Sequence, residues 1–145
     1  QRFEVPLLGK IRFQTDPNRR ALGLAGIARF LEGEGSREMQ NSPFRKVGSR
    51  PPKVVQGLVA SGDQFIAEAE RREEMLRLLP EVLCVEMEGA AVAQVCFEHG
   101  RPVTVVRTIS DGADAASPME FPAFLQALAG YYSRGIVEVL LSKGS

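Results

Sequence analysis

The chain has 145 residues, 44% apolar and 25% charged with no net charge, which suffices for one folded domain with a real core. No run of about 18 apolar residues occurs, so no membrane span is expected, and no secretory signal is visible. Charge is uneven: residues 1–53 hold 11 Lys/Arg against 5 Asp/Glu, and residues 54–145 hold 7 against 13. A basic first third could contact nucleic acid, but beyond Phe44 it lacks interleaved aromatics, so a solvated arm is the reading adopted.

In chain order, residues 1–20 read as irregular, punctuated by Pro6, Gly9 and Pro17. The opening Gln1-Arg2-Phe3, without Met, reads as a fragment or a processed product. Asp16-Pro17 opens a helix over 18–32 carrying Leu22, Leu24, Ile27, Ala28 and Leu31, with Gly23 and Gly26 weakening it. Residues 33–53 are predicted to be a long polar loop. An apolar strand follows over 54–60, then the turn Ser61-Gly62-Asp63 and a helix over 64–79 through Phe65, Ala69, Met75, Leu76 and Leu79, stopped by Pro80. A short buried strand covers 82–85, and a helix over 88–99 ends at Gly100. Val103–Ile109 is a third strand, rich in β-branched residues, and 110–118 a loop. Residues 119–142 are helical, with an apolar face of Phe121, Phe124, Leu125, Leu128, Ile136, Val139 and Leu140.

Strands alternating with helices indicate an α/β fold with covered parallel strands. Ligands of open α/β sheets bind beyond the carboxyl ends of the strands. Here those ends bring Ser61-Gly62-Asp63, Glu86-Met87-Glu88 and Ser110-Asp111 to one rim. Each acid has a plainer use. Glu86 or Glu88 suits the first turn of a helix, Asp63 suits a cap, and Asp111 suits a Ser-Asp-Gly turn. Together, carboxylates without a phosphate-binding loop suit a polyol or a sugar. One acid accepts hydrogen bonds from vicinal hydroxyls while another protonates a leaving group. A divalent metal held by carboxylates stays open. Cys84 and Cys96 lack zinc spacing and have a single histidine for company, so they read as buried free thiols in a reducing, cytoplasmic setting. His99 before Gly100 reads as a helix C-cap, and Arg107 in an apolar strand should meet an acid, Glu86 or Asp63.

Three segments carry a resemblance: GLVASGDQFI at 57–66, VEMEGAAVAQVC at 85–96 and VRTISDGAD at 106–114. In order and spacing they are similar to the signatures of the 5'-methylthioadenosine/S-adenosylhomocysteine nucleosidases, within the wider purine nucleoside phosphorylase superfamily. The resemblance runs from about residue 54 to 142. It implies a three-layer α/β sandwich with a central mixed sheet, of which 1–145 would be the C-terminal portion of one domain, lacking the N-terminal strands. It implies hydrolysis of an N-glycosidic bond with release of adenine, no cofactor and no metal, a homodimer, and neither nucleic acid nor a membrane as partner.

Carried over to this chain, the resemblance makes Glu88 the ligand of the ribose 2' and 3' hydroxyls. Met87 packs on the ribose face, and Glu86 helps nearby. Asp111 becomes the general acid at adenine N7, oriented by Ser110. Phe65 and Ile66 hold the adenine, and Phe121 covers its other side. The family's water-activating glutamate has no counterpart here, since Glu4 stands in the wrong context. The chain alone is therefore expected to be inactive until the N-terminal half is supplied, by a partner chain or by further sequence. Phe3, Val5 and Leu7 are candidates for a dimer contact, and the 33–53 loop is longer and more basic than the family's pattern. Two rival readings remain: a phosphorylase or another purine-linked nucleosidase, such as one acting on futalosine or AMP, and a non-catalytic purine-binding scaffold.

Overall fold

Asp16 sets the first helix. Its backbone is extended at φ −64° and ψ 122°, its Oδ1 accepts the Arg19 N–H at 2.8 Å, and Pro17 follows where a missing N–H costs nothing. The resulting helix α1 (Pro17–Glu32) opens the computed structural model, which describes residues 3–41, 52–110, 122 and 124–142. Ile27 and Leu31 are buried as the spacing predicts, but Leu22 is exposed and Phe30 takes a core place that the expected face omitted. Gly23 and Gly26 do more than weaken the helix. A Cβ on Gly26 would lie 2.3 Å from Val139 Cγ1, so its bare backbone permits the close approach of the C-terminal helix.

The expected polar loop at 33–53 begins instead as a second helix, α2 (Glu34–Asn41). Gly33 ends α1 by donating to the carbonyls of Arg29 and Phe30, and Glu34 then places an acid in the next first turn, where the helix dipole favours it. The buried Tyr132 hydroxyl donates to the Gly35 carbonyl at 2.8 Å and ties α2 to the C-terminal helix. Residues 42–51 of the predicted loop lie outside the described residues, and 52–53 have no regular secondary structure.

Near the C-terminus a π-helical turn (Leu125–Ala129) runs into α5 (Gly130–Leu141), within the helix expected over 119–142. Phe124, Leu128, Tyr132 and Ile136, each four residues after the last, pack with Ile27, Phe30 and Leu31 in the principal core. Phe30 meets Tyr132 edge-on, with ring centres 5.6 Å apart. Leu125 of the expected face is instead exposed.

The sheet within the described residues has two parallel strands, β1 (Leu58–Ser61) and β2 (Val82–Glu86). Leu58 pairs with Val82 and Val59 with Cys84, so Leu83 bulges out of register and is exposed. Neither strand is fully buried, in contrast to the continuous apolar runs. The connecting helix α3 (Ala69–Leu78) starts five residues later than expected and buries no residue; six of its ten positions are charged. Its N-cap is Glu68, so Asp63 does not cap it.

Helix α4 (Gly89–Glu98) follows β2 and closes as predicted: His99 is the C-cap and Gly100, at φ +58°, turns the chain. The N–H groups of Gly100 and Arg101 donate to the carbonyls of Phe97 and Cys96 at 3.1 and 2.7 Å, a Schellman closure. The third expected strand, 103–109, forms no ladder among the described residues. A strand exists only through a hydrogen-bonded neighbour; here the Val103 carbonyl accepts from Asp16 N–H at 2.9 Å, and Val106 packs against the core. Cys84 and Cys96 form no disulfide among the described residues and are only half-buried. Among the described residues no helix is long and apolar enough to cross a membrane.

The Tyr132 hydroxyl gives the first prediction. Tyr132→Phe leaves the Gly35 carbonyl without its buried donor and should cost about 1 kcal/mol. Urea denaturation should show a lower midpoint at unchanged slope, and hydrogen exchange should quicken in α2 more than in α4.

Candidate active site at the strand ends

Parallel pairing puts the two strand ends side by side. Ser61, last in β1, stands opposite Glu86, last in β2, and the Gly62 N–H donates to the Glu86 carbonyl at 3.1 Å. The chain then turns through Met87 and Glu88 into α4. The Glu86 side chain is only 8% exposed, so its carboxylate needs donors. It receives the Gly89 N–H at 2.8 and 2.9 Å and the Glu88 N–H at 3.1 Å, satisfying amides that open the helix. Ser61 Oγ accepts the next amide, that of Ala90, at 3.1 Å. Arg107 Nη2 donates to Glu86 Oε2 as well, and reaches Glu88 Oε2 at 3.2 Å. Burial alone would push the Glu86 carboxyl up. Hydrogen bonds from Ser61, from the Gly89 and Glu88 amides and from Arg107 outweigh that and hold it below its ordinary value.

The two acids flanking Met87 therefore do different things. Glu86 faces inward and is saturated with donors. Glu88 is 70% exposed, held at one oxygen by Arg107, with no hydrogen bond to Oε1 among the described residues. The acid expected for Arg107 is Glu86 rather than Asp63, with Glu88 sharing the same guanidinium. Arg107 and Ser61, which the resemblance gave no role towards substrate, both join the site through Glu86 and the start of α4. The signal for Arg107 was a cation inside an apolar run; for Ser61 it was a hydroxyl at a strand end.

Met87 is exposed beside Glu88. Ser110 is half-buried, three residues beyond Arg107. Phe65 and Ile66 lie on the irregular stretch after β1. With Gln64, Ala67, Glu68 and Arg71 they line an open cavity of about 340 Å³, within the size range of small-molecule sites. Glu86, Met87 and Glu88 are not in its lining. Asp111 and Phe121 lie outside the described residues. Among the described residues no three His, Cys, Asp or Glu side chains converge as a metal site.

The exposed Glu88 carboxylate, with one oxygen on Arg107, has acceptor capacity left for hydroxyl donors. Residues 13–140 match the model of the phosphorylase superfamily. The chain belongs to that superfamily. Among relatives of the superfamily, the 5'-methylthioadenosine/S-adenosylhomocysteine nucleosidase of Shewanella sp. (strain MR-7) is 37% identical over 116 residues, which are 80% of this chain and 48% of the relative. The chain thus spans about half the length of the curated relatives it matches. Among solved structures, the nucleosidase of the same name from Neisseria meningitidis, in complex with methylthio-immucillin-A, superposes with a TM-score of 0.74 at 32% identity. That match covers 94% of this chain and 50% of the Neisseria chain. A futalosine hydrolase mutant of Helicobacter pylori strain 26695 superposes with a TM-score of 0.64 at 30% identity, over 92% of this chain and 50% of its own.

The Glu86 carboxyl carries a pH prediction. Its folded value lies below the ordinary 4.5, so its stabilisation is fully present above that pH and is lost as pH falls through the folded value. Urea midpoints measured from about pH 6 down to about pH 3 should fall on acidification. Glu86→Gln should be less stable at the upper end and should show a shallower fall.

Proposed function

We propose that the chain is part of a nucleosidase that hydrolyses the N-glycosidic bond of 5'-methylthioadenosine or S-adenosylhomocysteine and releases adenine. The observation that carries this reading is the exposed Glu88 carboxylate, braced by Arg107 at the carboxyl ends of two parallel strands. Such a carboxylate can accept hydrogen bonds from two vicinal ribose hydroxyls at once. The likeness to nucleosidases of this name, one of them holding a methylthio analogue, narrows the substrate class.

In this reading Glu88 grips the ribose diol and Met87 packs on the ring. Phe65 and Ile66 hold the purine, with Phe121 on its other face. Asp111, oriented by Ser110, donates a proton towards N7 as the bond to C1' breaks, so adenine leaves neutral while the ribose becomes oxocarbenium-like. Water then adds to C1' and loses a proton, and a proton taken up from solvent restores the Asp111 acid. The protein acts in the cytoplasm, in the salvage of methionine, as a homodimer whose partner helps close the 5' pocket. The exposed Phe3 and Leu7, with Val5 between them, are candidates for that contact. A second reading, futalosine hydrolysis, is favoured by the Helicobacter pylori neighbour and differs in the 5' substituent.

Adenine release tests these alternatives. It is measured on the chain itself and on the chain joined to a segment supplying the other half of its relatives' length. Release from methylthioadenosine should proceed without phosphate, and Asp111→Asn should lower kcat on the order of 10²–10⁴-fold, the scale of general acid catalysis. Strict phosphate dependence would indicate a phosphorylase. Turnover of futalosine alone would favour the second reading, and no turnover of any of these nucleosides in either form would indicate a binding scaffold.

A further inference from the structure

The saturation of the Glu86 carboxylate raises the question of what a buried acid is for at the edge of a sugar-binding rim. Its donors come from three parts of the chain: the N-terminal amides of α4, the end of β1 through Ser61, and the 101–110 segment through Arg107. Arg107 is a bridge. The same Nη2 touches Glu86 and Glu88, and the side chain is about one-third exposed, between the inner acid at 8% and the outer one at 70%. Glu88 has no side-chain hydrogen bond to the start of α4, so Arg107 is its one charged brace among the described residues.

From this geometry we infer that Glu86 is a positioning residue rather than a substrate ligand: it fixes the Arg107 guanidinium, which in turn fixes the rotamer of Glu88 for a vicinal diol. The inference rests on the assignment of Glu88 to the ribose and deepens it. A long, largely exposed glutamate samples several rotamers, and holding one of them before the ligand arrives removes that entropic cost from binding. The brace takes one oxygen and leaves the other open to a hydroxyl. A planar guanidinium suits two carboxylates better than the point charge of a lysine. Glu86 can hold Arg107 because its own place is over-determined by backbone amides, which no rotamer change can move.

The test compares methylthioadenosine with its 2',3'-dideoxy analogue in the active form of the protein. Thermal midpoints accompany every variant, so that a folding defect is recognised. Glu86→Gln should lower kcat/KM for the ribose substrate on the order of 10–100-fold, the scale on which outer partners of a liganding group act. The dideoxy analogue, which has no diol to offer, should lose less than about 3-fold. Glu88→Gln should show the same selectivity, and the double variant should be no worse than the poorer single one. Arg107→Lys, a milder change should Glu86→Gln fold poorly, should fall in the same class. Equal losses on both substrates, or additive losses in the double variant, would overturn the inference. NMR of the arginine side chains separates this result from the functional reading. The Arg107 Nη protons should be slowly exchanging in the wild type and fast in Glu86→Gln, whichever nucleoside is cleaved. Fast exchange already in the wild type would sink the brace, and an inactive wild type with a protected Arg107 would sink only the ribose assignment.

Discussion

A carboxylate removed from water must be given back its hydrogen bonds, and the strand-end region is arranged around that requirement. Glu86 receives amides from the start of α4 and a guanidinium from the segment after it. The cost of burying the charge is several kcal/mol when it is unmet. Meeting it fixes three things together: where β2 ends, where α4 begins, and how residues 101–110 pass the rim. The acids quoted in VEMEG are thus not equivalent. One is consumed by the fold, and its neighbour two residues on stays largely exposed, which the proposed function uses for the ribose.

The principal core sits elsewhere. α1 and α5 close on each other through Gly26, and Phe30 and Tyr132 interlock beneath them. The strands and α4 are less covered: Leu83, Val92, Val95 and Phe97 all show large exposed areas. The division suits a framework in which the helical core holds the chain and Val106 links it to the rim, since Val106 packs on the core one residue before Arg107 reaches Glu86.

How far the sequence could be read follows from the range of each signal. Local signals survived well. Asp16-Pro17 started a helix, Gly100 ended one, and the parallel βαβα order is present. Signals that depend on tertiary neighbours did not. The β-branched run at 103–109 was legible as apolar, but a ladder needs a partner that no pattern in the run itself supplies. Residues 33–41 were too polar to suggest a helix, and α2 is held by the Tyr132 hydroxyl, a contact 97 positions away. At the site, the need of Arg107 for an acid was legible from desolvation alone, whereas its sharing between Glu86 and Glu88 depends on side-chain geometry. The family membership was legible because three motifs keep their order, and the match over 13–140 bears it out. The catalytic role given to Asp111 rests on the third of those motifs and the purine-covering role of Phe121 on the wider resemblance, both residues lying outside the described ones.

The central claim is that one acid of the pair is spent on the fold and the other on the ligand. A crystal structure of the active protein holding methylthio-immucillin-A tests it most directly. The account predicts Glu88 within about 2.6–3.2 Å of a ribose-like hydroxyl, with Glu86 still on Arg107 and the amides of α4. A ligand whose hydroxyls are bound by Glu86, swung away from those amides, or whose sugar ring lies out of reach of Glu88, would contradict it.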